Sequence, residues 1–140
     1  MKRNENGRSM IEMLGVLAII GVLSVGGIYG YTVAMRKYKA NEIAQTLSML
    51  AISARSMNGG AGAGQTGLTL ENSGLETNPA GVPVTATAVC DAEDSCTTVT
   101  ITATVETSDD KLATAVNNLL PTDAGLSGYT ATVTQATQGD

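Results

Sequence analysis

Histidine, phenylalanine and tryptophan do not occur among the 140 residues. Without histidine there can be no Ser/His/Asp triad, no Cys/His nucleophile pair and no His-ligated zinc. Only two cysteines are present, too few for a Cys-rich metal site but enough for one disulfide in an oxidising compartment. Basic residues cluster only in "RKYK" at Arg36 to Lys39, and the formal charge is -5, so nucleic-acid binding driven by charge is disfavoured. Aromatics are scarce: beyond residue 58, Tyr129 stands alone, and any core built there must use small aliphatic side chains. No proline interrupts residues 8 to 58. With no paired carboxylates on a recognisable catalytic scaffold, an enzyme is the least favoured class, and no cofactor is implied.

What the chain does have is unevenly distributed. Large aliphatic residues crowd the first 58 positions, while the remainder is rich in Thr, Ala and Gly. From Met13 to Met35 there is no charged residue, and a run of about 20 apolar residues suffices for a helix to cross a bilayer. The run is too long for the h-region of a cleaved secretory signal, and no small-residue cleavage site follows it. Arg36, Lys37 and Lys39 lie on its far side, opposed by Lys2, Arg3 and Arg8 on the near side. An N-terminus facing the cytoplasm is expected, because a disulfide requires the C-terminal half to lie outside.

Glycines recur along the run at Gly15, Gly21, Gly26, Gly27 and Gly30, and Gly26 with Gly30 forms a G-x-x-x-G spacing that lets a second helix approach closely. Glu12 sits at the mouth of the run. A carboxylate at the helix centre costs roughly 2.5 to 3.5 kcal/mol even on lenient insertion scales, so Glu12 needs a partner or a route to the interface. It can snorkel, or pair with Arg8 one turn earlier for about 0.2 to 0.5 kcal/mol.

A short leader, "MKRNENG", ends at Gly7 and is followed by "RSMIEMLGVLAIIGV", with the glutamate five residues beyond the glycine and then the apolar stretch. Over residues 1 to about 58 this resembles the type IV prepilins. The resemblance implies a leader, residues 1–7, removed by a membrane-embedded aspartic peptidase that cuts between Gly7 and Arg8, and N-methylation of the new terminus on Arg8. It differs from the family pattern at Arg8, where a large apolar residue such as Phe or Met is usual. The freed α-amino group, with a reference pKa of about 7.7 to 8.0, is largely protonated at neutral pH. In the family that cation pairs with the glutamate of a neighbouring subunit, which makes Glu12 a docking residue.

The resemblance further implies a homopolymer of identical subunits, an assembly ATPase and a platform protein. It places the precursor in the bacterial inner membrane and the product in an extracellular pilus. The reading is a major pilin. Alternatives are a minor pilin or secretion pseudopilin, and, from another class, a single-span anchored binding domain that never polymerises. The family often carries a proline within the apolar segment, near a stretch that loses helical hydrogen bonds on assembly. Here Gly21, Gly26, Gly27 and Gly30 occupy that region, each about 1 kcal/mol poorer than alanine as a helix former, and the same stretch is expected to melt or to pack in a filament.

The expected fold is α+β: a long helix on a small antiparallel head of order β-β-α-β. Residues 8–35 form the membrane or filament-core half of the helix and 36–58 its amphipathic half, with Ala40, Ile43, Leu47, Leu50, Ala54 and Met57 on one stripe. Residues 59–81 read as a Gly-rich linker and a loop with no assigned structure, and 82–140 as the head. Val84, Ala86, Ala88 and Cys90, and then Val99, Ile101, Ala103 and Val105, alternate with threonines as two antiparallel strands. "CDAEDSC" joins them, so that Cys90 and Cys96 face each other across a hairpin neck, a spacing that permits a disulfide. Asp91, Glu93 and Asp94 offer oxygen ligands, but the spacing matches no EF-hand, and an exposed acidic hairpin tip is the better reading. Thr107 or Ser108 is expected to cap a helix carrying Leu112, Val116, Leu119 and Leu120, and a last strand is expected from Tyr129 to Thr137 with Ala131 and Val133 facing in.

Overall fold

A computed structural model of the chain describes residues 5–58, 67–90, 98–121 and 128–136, and side chains from Ser9 to Ser56 within the first of these. The chain divides into two units, residues 1–35 and 36–140. One α-helix, α1 (Glu5–Asn58, 54 residues), runs without a break, and its second half contributes to the larger unit.

Among its described residues the first unit is helix alone. Every residue from Ser9 to Thr32 is exposed, including Ile11 at 74% and Val25 at 71%. The helix contains a window long and apolar enough to cross a membrane, none of it buried in the chain. An isolated helix gains no stability from such a surface in water, because an all-round apolar face lowers the free energy only when lipid or other helices cover it.

In the second unit the period of the sequence becomes the core. Ala40, Ile43, Leu47, Leu50 and Ala54 are all buried, as the alternating steps of three and four predict, and Ile43, Leu47 and Leu50 are fully so. Each such aliphatic side chain contributes about 1.5 to 3 kcal/mol when removed from water. Met57, the last residue of the predicted stripe, lies outside the described side chains.

The opposing surface is a four-stranded sheet in the order β1-β2-β3-β4. It comprises β1 (Leu68–Thr69), β2 (Val84–Cys90), β3 (Val99–Glu106) and β4 (Tyr129–Ala136). Val84, Ala86, Ala88, Val99, Ile101, Ala103, Val105, Ala131 and Val133 are buried in one cluster with the α1 stripe, as alternation predicts. The outer face is threonine, in register: Thr85 pairs with Thr104 and Thr87 with Thr102 across β2 and β3, and Thr100, Thr102 and Thr104 pair with Thr130, Thr132 and Thr134 across β3 and β4.

The fold is thus α+β with the expected β-β-α-β order, but the sheet is mixed rather than antiparallel. β2 and β3 are antiparallel, whereas β3 and β4 are parallel. Between them lies α3 (Leu112–Leu119), and a strand returning to its neighbour's side after a helical crossover must run the same way. The segment assigned no structure also contributes: β1 adds an antiparallel edge, followed by the one-turn helix α2 (Leu70–Ser73), where Thr69 Oγ1 accepts from the Asn72 N–H at 3.2 Å.

The start of α3 departs from expectation. Neither Thr107 nor Ser108 caps it; Lys111 holds the cap position without a side-chain bond. The preceding polar residues instead close turns, with Thr107 Oγ1 accepting from the Asp109 N–H at 3.1 Å and Asp109 Oδ1 from the Lys111 N–H at 3.1 Å. Leu112, Val116 and Leu120 are buried, but Leu119 is 52% exposed and Ala113 takes the inward place.

Candidate functional site

The residues that the sequence singles out fall in two places. Gly7, Arg8, Glu12, Gly21, Gly26, Gly27 and Gly30 all lie on α1, so one continuous helix carries the expected cleavage position, the carboxylate and the glycines. Glu12 is exposed. Gly7 and Arg8 belong to the first turn, where the leading N–H groups of a helix have no partners within it.

The glycines of the apolar half have open surroundings. A β-carbon built on Gly15, Gly21, Gly26, Gly27 or Gly30 meets nothing within 4 Å. Among the described residues no close contact requires any of them to be glycine. Ser24 and Thr32 donate to the Ile20 and Tyr29 carbonyls at 2.7 and 2.8 Å, which satisfies their hydroxyls within the helix and leaves its sides apolar.

The head carries the remaining candidates. Cys90 closes β2, is not a free thiol, and has Sγ 3.9 Å from the Ala54 carbonyl oxygen of α1. Its expected partner Cys96 lies outside the described residues, as do Asp91, Glu93 and Asp94. Among the described residues no group of three or more acidic, cysteine or histidine side chains is placed to hold a metal ion.

Three polar contacts that the sequence did not disclose fix α1 and α3 to the sheet. Arg36 Nε donates to Asp109 Oδ2 at 2.8 Å, tying α1 to the segment after β3. That guanidinium holds the Asp109 carboxyl below its ordinary value; partial burial opposes the shift and the Lys111 N–H assists it. Ser48 donates to the Ala44 carbonyl and accepts from the Tyr129 hydroxyl, both at 2.8 Å, so the head's lone aromatic anchors the start of β4 to α1. Asn117 of α3 bonds the backbone of Val133 in β4. Each joins residues dozens of positions apart or across a crossover, and no local pattern marks such a pair.

A concavity lies on the head among the described residues. It encloses about 600 Å³ on the threonine face, between β2 and β3 on its floor and the Thr69–Glu71 turn and Thr77 on its wall.

Comparison of the chain with protein-family models, curated proteins and solved structures finds no match.

Proposed function

We propose that the chain is a structural subunit, the major pilin, of a type IV pilus-like surface filament. It is held first in the inner membrane by the apolar half of α1, cut after Gly7, and polymerised through that same half. The observation that carries this reading is the apolar stretch from Met13 to Met35, whose residues up to Thr32 are all exposed and whose mouth bears Glu12. Such a surface needs lipid before assembly and neighbouring helices after it. A carboxylate at its edge needs a cation, which the α-amino group freed at Arg8 would supply from an adjacent copy. The α+β head, thin-cored and bound to the second half of α1, fits a subunit that displays its sheet on a filament surface. A disulfide from Cys90 to Cys96 would close the acidic hairpin tip in the extracellular space.

The test is Glu12→Ala in cells. Loss of the sheared filament fraction with the chain still in the membrane fraction is the expected result. Undiminished filaments would remove Glu12 from subunit docking and with it the carboxylate on which this reading rests, whereas a membrane protein that never appears in filaments even as wild type would reject the reading and leave a single-span anchored domain. Wild-type filaments in which the chain is a trace component would instead identify a minor pilin or pseudopilin. Intact mass of the filament-derived chain reports the removed leader, the methyl group on Arg8 and the disulfide together.

A further inference from the structure

The concavity on the outer face of the sheet has a chemistry that the filament reading does not use. We propose that it is a binding groove for a neutral, hydroxyl-rich glycan, floored by Thr85, Thr87, Thr102 and Thr104 and walled by Glu71 and Thr77.

What reaches the groove follows from burial. Leu70 lines it but is 2% exposed, and the side chains of Val84 and Ala86 point into the core, so these three offer backbone rather than apolar side chain. The apolar part of the lining is therefore threonine methyl and backbone rather than large aliphatic side chain, which gives a lipid chain or a bulky apolar side chain little to bury against. Among the described residues no lysine or arginine lines the groove, and the one charged side chain is the carboxylate of Glu71. Phosphate, sulfate and carboxylate ligands would meet repulsion without a compensating cation. One carboxylate is likewise too few oxygen ligands of that kind to hold a divalent ion.

What remains is a set of hydroxyls, each a donor and a double acceptor, beside a carboxylate that accepts only. Among the described residues no intramolecular hydrogen bond engages the Thr85, Thr87 or Thr102 hydroxyls, which leaves their full capacity for a ligand. Thr104 is held in place by its 3.3 Å contact with Thr134. The register sets the spacing: strand neighbours stand about 4.8 Å apart and alternate residues along a strand about 6.7 Å apart. This two-dimensional grid of hydroxyls and methyls suits the alternating hydroxyl and C–H surface of a saccharide. The volume lies within the range of about 300 to 1,000 Å³ common to small-ligand sites.

The experiment uses the full chain in lipid nanodiscs, free of glycoside detergents, with labelled threonine methyls observed by NMR. Cellotetraose, chitotetraose and lacto-N-tetraose serve as neutral probes, and a heparin tetrasaccharide as the acidic one. Saturable shifts of the Thr85, Thr87 and Thr102 methyls are expected with at least one neutral sugar and none with heparin. The double variant Thr87→Val, Thr102→Val keeps the β-branched shape and should weaken that binding by about tenfold. Glu71→Gln, which lies off the sheet, should weaken it several-fold with the melting temperature unchanged. Absence of saturable shifts with all the neutral sugars overturns the proposal. So does equal binding of heparin, or binding that neither the valine pair nor Glu71→Gln reduces. None of these outcomes depends on whether the chain polymerises.

Discussion

Asn117 and Val133 exchange two hydrogen bonds: the Asn117 amide donates to the Val133 carbonyl oxygen at 2.8 Å, and the Val133 N–H donates to Asn117 Oδ1 at 2.9 Å. One side chain thereby imitates a strand partner along β4, the edge strand opposite β1. The Ala131 N–H, two residues earlier, donates to the Pro121 carbonyl oxygen at 3.3 Å, so the same edge is covered twice. An open edge is a template for pairing with another chain, and α3 removes it without adding a strand. Asn117→Ala should cost about 1 to 3 kcal/mol, because it strands a partly buried donor and acceptor. Chemical denaturation measures the loss. A variant as stable as the parent would mean that water replaces the amide fully.

The Arg36–Asp109 pair gives a pH dependence whose sign is fixed. The guanidinium lowers the folded-state pKa of Asp109 below its unfolded value, so folding is favoured while the carboxylate is ionised in both states. The contribution is present above the unfolded value, near 4, and is lost as pH falls through the lower folded value. With the pair 26% and 34% exposed, solvent screening holds its contribution to about 1 kcal/mol or less. Asp109→Asn should therefore lower stability slightly at pH 7 and leave the two proteins alike at strongly acidic pH. Urea midpoints of both across the acidic range test this, and a gap that widens on acidification would contradict it.

Ala80 has φ 54° and ψ 27°, the left-handed region, and is alone among the described non-glycine residues in having positive φ. It lies in the short 3-10 turn Pro79–Gly81 that leads into β2, with Pro79 buried and the Val84 N–H bonded to the Thr77 carbonyl at 2.9 Å. A Cβ in this region costs roughly 1 to 2 kcal/mol, offset in part by the greater freedom of glycine in the unfolded chain. Ala80→Gly should stabilise the head by up to about 1 kcal/mol, read as a raised melting temperature. Gly81→Ala, at φ 76°, should act in the opposite direction.

These contacts mark where the sequence is legible and where it is not. The α1 stripe from Ala40 to Ala54 and the alternation of Val84–Cys90 and Val99–Val105 could be read because burial follows the helical and strand periods directly. The sense of β4 is not set by its own alternation, since Ala131 and Val133 alternate identically in a parallel or an antiparallel strand; it is set by the crossover through α3, so the parallel pairing is implicit in the expected β-β-α-β order although the alternating strands alone suggest an antiparallel head. Leu68–Thr69 is too short to show a period at all. Thr107 and Ser108 looked like helix caps by type, but Asp109 is drawn to Arg36, a residue 73 positions away, and the helix starts after that contact is made. The groove is not legible in the sequence, because its wall, Thr69 to Thr77, sits in a segment with no periodic signal. Its floor, in contrast, is the threonine alternation that marked the strands.

The glycines of α1 lead to the last prediction. In the chain itself none of Gly21, Gly26, Gly27 and Gly30 has a neighbour that a methyl group would strike. Alanine is about 1 kcal/mol better than glycine inside a helix, so Gly26→Ala with Gly30→Ala should leave the membrane-inserted chain folded, or make α1 more helical. If these glycines are there for close approach of another copy, or to let the helix loosen as it enters a filament, the same pair should sharply reduce assembly. The effect on assembly is then opposite in sign to the effect on the single chain. Helicity of the membrane-held chain by circular dichroism and the yield of sheared filaments from the same cells separate the two. Filaments at wild-type yield from the double alanine variant would show that the glycines serve neither purpose.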